Sequence, residues 1–196
     1  MIFHKHKLIF TGIPKNASSS IHELLRNPTD REHHHNSIIE DYAHNDVDLM
    51  ESYTSFSITR NPYDRFISAM RHICRYEYEE GYVDLNELVD KYLRSEEYPQ
   101  IILVPQHRFV CFGNRILVDN ILKYENLAKD WEEFATNYNK TADFKVKTKL
   151  IHVNKGDNRG AWEEEIKTLT QDNLDFVNKR YDKDFLLFDY KMIHKF

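Results

Sequence analysis

The chain is poor in the features that mark several large classes of protein. Its 196 residues hold only two cysteines, Cys74 and Cys111. Neither sits in a metal-ligand spacing, which disfavours a disulfide scaffold and leaves two reduced thiols as the expectation. No stretch approaches the ~20 apolar residues of a membrane-spanning helix. The first seven residues carry charges and histidines where a secretory leader would be apolar. Positive charge is not in excess either: the net charge of −5 is opposite in sign to that of a general nucleic-acid binder. A polyanionic ligand would have to be held by local cations, since the global field does not favour it. Repeats, low-complexity tracts and linkers are lacking, so one soluble domain over residues 1–196 is expected. With 41% hydrophobic and 13% aromatic residues, that domain can bury a proper core.

The apolar run at residues 7–11, closed by Gly12 and Pro14, predicts a buried strand entering a tight loop. Ser18, Ser19 and Ser20 are N-cap residue types, and Ile21, Leu24 and Leu25 follow at helical spacing. Residues 27–50 are polar and rich in His, Asp and Asn, which predicts mostly loop. Residues 55–59 read as a second strand. Asn61 and Pro62 then open a helix with Phe66, Ile67, Met70 and Ile73 on one face. Residues 85–93 predict a helix, and residues 115–118 and 120–124 a strand pair or a strand with its approach. Residues 127–138 predict a helix carrying Leu127, Trp131 and Phe134 on one side. After a loop-like stretch at 148–160, residues 162–181 predict two helices broken near Thr170, the first opening on the acidic turn Glu163, Glu164 and Glu165. Trp131 and Trp162 read as packing residues. Strands alternating with helices predict an α/β domain with a largely parallel sheet.

Two stretches carry chemistry. Residues 12–20 join the first strand to the first helix, where backbone N–H groups and the helix dipole favour an anion. Lys15 adds a mobile cation and the serines add donors. The loop lacks the second glycine and the Gly-Lys-Ser/Thr ending of a Walker A sequence. No aspartate is evident as a magnesium partner, which disfavours a metal-dependent kinase. Read alone, the loop is equally an ordinary capped helix with one exposed lysine. The second stretch, residues 59–70, puts Arg60 at the carboxyl end of the second strand, where open parallel sheets bind ligands. Ser68 falls two turns into the following helix. A planar guanidinium suits a phosphate through paired hydrogen bonds.

Together these stretches resemble the sulfotransferases that use 3′-phosphoadenosine 5′-phosphosulfate (PAPS), specifically the Golgi-type carbohydrate sulfotransferases and their short bacterial and viral relatives. That family binds the 5′-phosphosulfate with a Pro-Lys-x-(Ala/Gly)-(Ser/Thr)-(Ser/Thr)-(Ser/Thr) loop. The resemblance therefore places Lys15, Asn16, Ala17, Ser18, Ser19 and Ser20 on the 5′ side of the nucleotide. It also implies that Arg60 and Ser68 hold the 3′-phosphate. Pro105-Gln106, residues 118–127, residues 152–155 and residues 181–190 resemble later family segments in order, although Tyr124 stands where arginine is common. The likeness implies a three-layer P-loop-NTPase-like α/β fold, with a central, largely parallel sheet flanked by helices. It further implies no metal requirement, PAPS as co-substrate with 3′-phosphoadenosine 5′-phosphate (PAP) as product, and an acceptor hydroxyl on a carbohydrate or glycoconjugate. No nucleic-acid partner and no membrane span are expected. The setting expected is cytoplasmic, for a bacterial or virus-encoded soluble enzyme.

Sulfuryl transfer depends on in-line positioning and charge stabilisation, as phosphoryl transfer does, and Lys15 is placed to stabilise the departing oxygen. Residues 33–40 resemble the family's His-x-(Ser/Thr)-x-x-Glu segment, a register that selects His35 as general base. His34 and Glu40 are the alternatives, and His34, His35 and Gln106 are the acceptor-side candidates. The resemblance also puts Lys155, with His152 and the nearby Arg159, in a loop over the nucleotide. Two other functions compete: a P-loop kinase, and a catalytically inactive nucleotide- or glycan-binding module.

Overall fold

The computed structural model describes residues 1–26, 35–75, 79–81, 83–95, 100–150 and 162–195. The chain forms two compact units, Met1–Arg60 with His107–Lys155 and Asn61–Gln106 with Gly156–Phe196.

The first unit is built on a four-stranded sheet. Its strands are β1 (Ile2–Phe3), β2 (Leu8–Thr11), β3 (Thr54–Thr59) and β6 (Asn120–Lys123), hydrogen-bonded in that order. β1 runs antiparallel to β2, whereas β2, β3 and β6 are parallel, with Thr11 level with Ser57 and Thr59 level with Lys123. β2 is buried at all four positions, as expected of an inner parallel strand covered on both faces, which reads as a continuous apolar run. Leu8, Phe10, Phe56, Ile58 and Leu122 build one core with Ile21 and Leu25 of α1 (Ser18–Leu25) and Trp131, Phe134 and Ala135 of α7 (Leu127–Tyr138). The Phe56 ring lies 4.9 Å from Phe10 and 4.8 Å from Phe134, centroid to centroid. Burying each such ring contributes roughly 1.5–3 kcal/mol. This core holds the β2–α1 junction in place.

Three local expectations are corrected. The described part of the stretch read as mostly loop, residues 35–50, is instead mostly helical, with α2 (Ile38–His44) and α3 (Val47–Glu51). The cause is local capping. Ser37 and Glu40 form a capping box, and Asp46 accepts from the Leu49 N–H. The N-cap of α1 is Ala17, with no side-chain cap, and the serines occupy the first helical turn. Residues 115 and 116 do not pair with residues 120–124. β5 (Arg115–Ile116) pairs instead with β4 (Cys111–Phe112) across a turn whose Gly113 has a φ of 61°. A short helix, α6 (His107–Val110), precedes β4.

The second unit centres on α4 (Pro62–Ile73), opened by Asn61, whose side chain accepts from the Tyr63 N–H. Phe66, Ile67 and Met70 pack in a core with Leu174, Val177, Tyr181 and Phe185. Trp131 is fully buried in the first unit, while Trp162 packs at the edge of this second core. The helix α5 (Leu85–Leu88) widens into a π-helical turn over Val89–Arg94. As expected, the later helices break at Thr170: α8 (Trp162–Ile166) opens on three glutamates and α9 (Gln171–Arg180) is capped by the Thr170 hydroxyl. α10 (Asp182–Leu187) follows. A buried polar clamp fixes the segment before Gln106. Arg65 donates to the carbonyls of Ile102 (3.0 Å) and Val104 (2.8 Å), and Tyr181 donates to that of Leu103 (3.0 Å). Asp184 accepts from the Gln106 N–H at 2.7 Å.

The fold is thus mixed α/β with a mostly parallel central sheet and flanking helices. No helix among the described residues is long and apolar enough to cross a membrane.

Candidate active site

β2, β3 and β6 end at the same edge of the first unit's sheet. The loop after β2, Arg60 after β3 and Tyr124 after β6 all issue from that edge. The β2–α1 loop has an unusual backbone. Lys15 and Ala17 both adopt positive φ, 69° and 59°. For residues with a Cβ this conformation costs roughly 1–3 kcal/mol each, and it clusters at ligand clamps. Left-handed residues in alternation turn successive backbone N–H groups into one concavity, a recurring anion cradle. The Ser18 and Ser19 N–H groups at the start of α1 donate to no acceptor among the described residues. This is the polar capacity expected of a helix start facing an anion.

The side chains of the loop divide into braces and exposed groups. Asn16 is fully buried and donates through Nδ2 to the Ile58 carbonyl at 2.7 Å, tying the loop to β3. Ser18 donates to the Ile13 carbonyl at 2.8 Å. A Cβ at Gly12 would meet the Met1 methyl at 2.4 Å and the Ser18 hydroxyl at 3.3 Å, so a side chain there would require Met1 to shift. Ser19 is exposed, and Ser20 and Lys15 are half-buried.

Arg60 links two parts of this edge. Its Nη1 donates to the Lys15 carbonyl at 2.9 Å, and its guanidinium stacks on the Tyr124 ring with Cζ 4.1 Å from the centroid. Burial, and secondarily the neighbouring Arg60 charge, lower the Lys15 pKa from the ordinary lysine value. Lys15 and Arg60 thus bring two positive side chains together at this partly desolvated loop, which fits an anionic ligand. Two buried hydroxyls at the same edge, Thr11 Oγ1 and Thr59 Oγ1, have no hydrogen-bond partner among the described residues.

His35, just before α2, places Nδ1 2.6 Å from the Gly12 carbonyl oxygen, at the mouth of the same loop. The structure therefore brings together Lys15, Asn16, Ala17, Ser18, Ser19, Ser20, Arg60 and His35 within the first unit. Ser68 stands half-buried on α4 of the second unit, and Gln106 is fully buried beside the clamp just described. Glu40 is committed to the Ser37 capping box. His34, Lys155, His152 and Arg159 lie outside the described residues. Sequence reasoning did not anticipate the Tyr124 stack or the inward turn of Asn16. The position of Tyr124 immediately after a parallel strand was the available signal for the first. Among the described residues, no group of three or more His, Cys, Asp or Glu side chains is arranged to hold a metal ion.

A Lys15-bearing loop with left-handed residues, at the carboxyl edge of parallel strands, has the backbone form of the anion loops in P-loop-like α/β proteins. The model of the Sulfotransferase family matches residues 1–191, and the chain belongs to that family. Comparison with curated proteins and with solved structures gives no match.

Proposed function

We propose that this sulfotransferase moves the sulfuryl group of PAPS to an acceptor hydroxyl on a carbohydrate, without a metal. The observation that carries this reading is the joined pair of cations: Arg60 bonded to the carbonyl of Lys15, within a left-handed loop at the strand edge. On this reading the loop amides of residues 17–19 and Lys15 receive the 5′-phosphosulfate, and Arg60 and Ser68 receive the 3′-phosphate. His35 takes the acceptor proton on Nε2, because its Nδ1–H is directed to the Gly12 carbonyl. The acceptor oxygen forms a bond to sulfur as the bond from sulfur to the 5′-phosphate oxygen breaks. The leaving charge stays on PAP beside Lys15. His34 and Gln106 are assigned to the acceptor side, and Lys155 to the nucleotide.

Calorimetric titration with PAP in EDTA tests the nucleotide site, run alongside Arg60→Ala. Transfer of labelled sulfate from PAPS to a panel of mono- and oligosaccharides tests the reaction. Metal-free binding abolished in Arg60→Ala, with label reaching a sugar, is the expected outcome. Absence of PAP binding to the folded wild type would overturn the reading.

A further inference from the structure

Arg60 does not hold its orientation alone. It is a half-buried side chain whose flat guanidinium lies on the Tyr124 ring, 4.1 Å from centroid to Cζ, while one N–H reaches the Lys15 carbonyl at 2.9 Å. The ring is anchored in turn. Tyr124 follows directly on β6, whose Lys123 is level with Thr59 of β3, and it packs against the aromatic core of the first unit. The Tyr124 hydroxyl has no hydrogen-bond partner among the described residues, so what the residue supplies here is its face. A planar cation over an aromatic face is attracted by the ring quadrupole and has its plane fixed, which a flexible arginine otherwise loses to side-chain entropy.

We infer that Tyr124 is a positioning residue: it sets the plane of Arg60 and, through the Arg60 bond to the Lys15 carbonyl, the left-handed conformation of the phosphate loop. Tyr124 acts on the ligand through Arg60. This inference rests on the reading of Arg60 as the contact for the nucleotide's 3′-phosphate. It makes a prediction that general destabilisation does not: losing the ring weakens ligands in proportion to their use of Arg60.

The test compares PAP with 5′-AMP, which lacks the 3′-phosphate, by calorimetric titration of wild type, Tyr124→Phe, Tyr124→Leu, Arg60→Lys and the Arg60→Lys/Tyr124→Leu double variant. Wild type is expected to prefer PAP. Tyr124→Leu should reduce that preference about 3- to 30-fold, the range a partly desolvated cation–π contact supports. Tyr124→Phe, which keeps the face, should stay within about twofold of wild type. In the Arg60→Lys background, Tyr124→Leu should add little, because a lysine ammonium cannot use the ring to fix a plane. Equal loss of PAP and AMP binding in Tyr124→Leu would overturn the inference, since it marks a direct nucleoside contact or a damaged fold. Unchanged PAP preference in Tyr124→Leu, with Arg60→Lys still impaired, would overturn it while leaving the nucleotide reading intact. A wild type with no preference for PAP over AMP would remove the nucleotide reading itself. Should Tyr124→Leu fail to fold, Tyr124→Met keeps an apolar side chain of adequate volume without the ring and carries the same expectations.

Discussion

His35 Nδ1 lies 2.6 Å from the carbonyl oxygen of Gly12. A carbonyl only accepts, so Nδ1 carries the hydrogen and the lone pair of the neutral ring is on Nε2. The junction that opens the β2–α1 loop therefore also fixes the tautomer that the proposed base requires. His35→Ala is expected to lower kcat about 10²–10⁴-fold and to leave PAP affinity unchanged. Steady-state kinetics beside calorimetry checks this; wild-type turnover in the variant would remove His35 from the reaction.

Lys15 carries a desolvation cost in the free protein that, on the proposed function, it recovers in the reaction. Lys15→Met should reduce kcat about 10²–10³-fold, the scale of a lost oxyanion donor, while raising the melting temperature. The sign of the pH effect follows from the lowered pKa. Folded Lys15 gives up its proton more readily than unfolded Lys15, so the unfolded chain binds more protons in the window below the ordinary lysine value. Its contribution to stability therefore rises with pH through that window, and Lys15→Met should flatten the rise. The alkaline limb of kcat/KM in wild type should fall earlier than an ordinary lysine would dictate. A melting temperature lower in Lys15→Met at pH 7 would contradict this account.

Ala17, at a φ of 59°, is the other strained position of the loop. Glycine adopts that conformation freely, so Ala17→Gly should stabilise the protein by about 0.5–1 kcal/mol after its larger unfolded-state entropy is subtracted. Ala17→Val puts a β-branched side chain in the left-handed region and should cost about 1–3 kcal/mol. Urea denaturation of the two variants gives the pair of values, and equal effects would rule out the strained geometry.

Burial raises two phenols of the second unit, Tyr63 and Tyr181, to about 12. Each folded pKa lies above the unfolded value of about 10, so the stability they contribute is complete below pH 10 and is lost as pH rises toward 12. Alkaline unfolding should follow phenol ionisation at 295 nm in this window. Tyr63 donates to Asn178 Oδ1 at 2.6 Å and accepts from the Ile193 N–H at 2.8 Å. Tyr63→Phe should accordingly cost about 1–3 kcal/mol and shift the alkaline transition. A transition unchanged in Tyr63→Phe would show that other groups control it.

The strands at residues 8–11 and 54–59, and the helices at 62–73 and 127–138, were legible because apolar period and Gly/Pro punctuation agree there with the final packing. The helices at 38–44 and 47–51 were not. They bury little beyond Ile38, Asp41 and Met50, too few residues to set up a period. Their capping residues Ser37, Glu40 and Asp46 were the legible trace. The β2–α1 loop could be located from sequence but not shaped, since a left-handed Lys15 and Ala17 contradict local preference, and such contradictions gather at functional sites. Arg60 and Arg65 look alike in the sequence, yet Arg65 shares the inner face of α4 with Phe66 and Ala69 and is only 1% exposed. Its neighbours at helical spacing carried that distinction. The place of Tyr124 just after a strand was legible, but its cross-strand position beside Arg60 was not, because that depends on β6 pairing with β3.

The clamp on residues 102–106 joins Arg65 to groups that emerge far later from the ribosome, Tyr181 and Asp184. The apolar face of α4 likewise waits for Leu174, Val177 and Phe185. The second unit is thus interrupted in the chain by residues 107–155, and its early part spends much of synthesis with its core half-built. Such exposed apolar surface is what holdase chaperones bind and what aggregates when translation outpaces them. Chains stalled before Phe185 should therefore associate with those chaperones through residues 61–106.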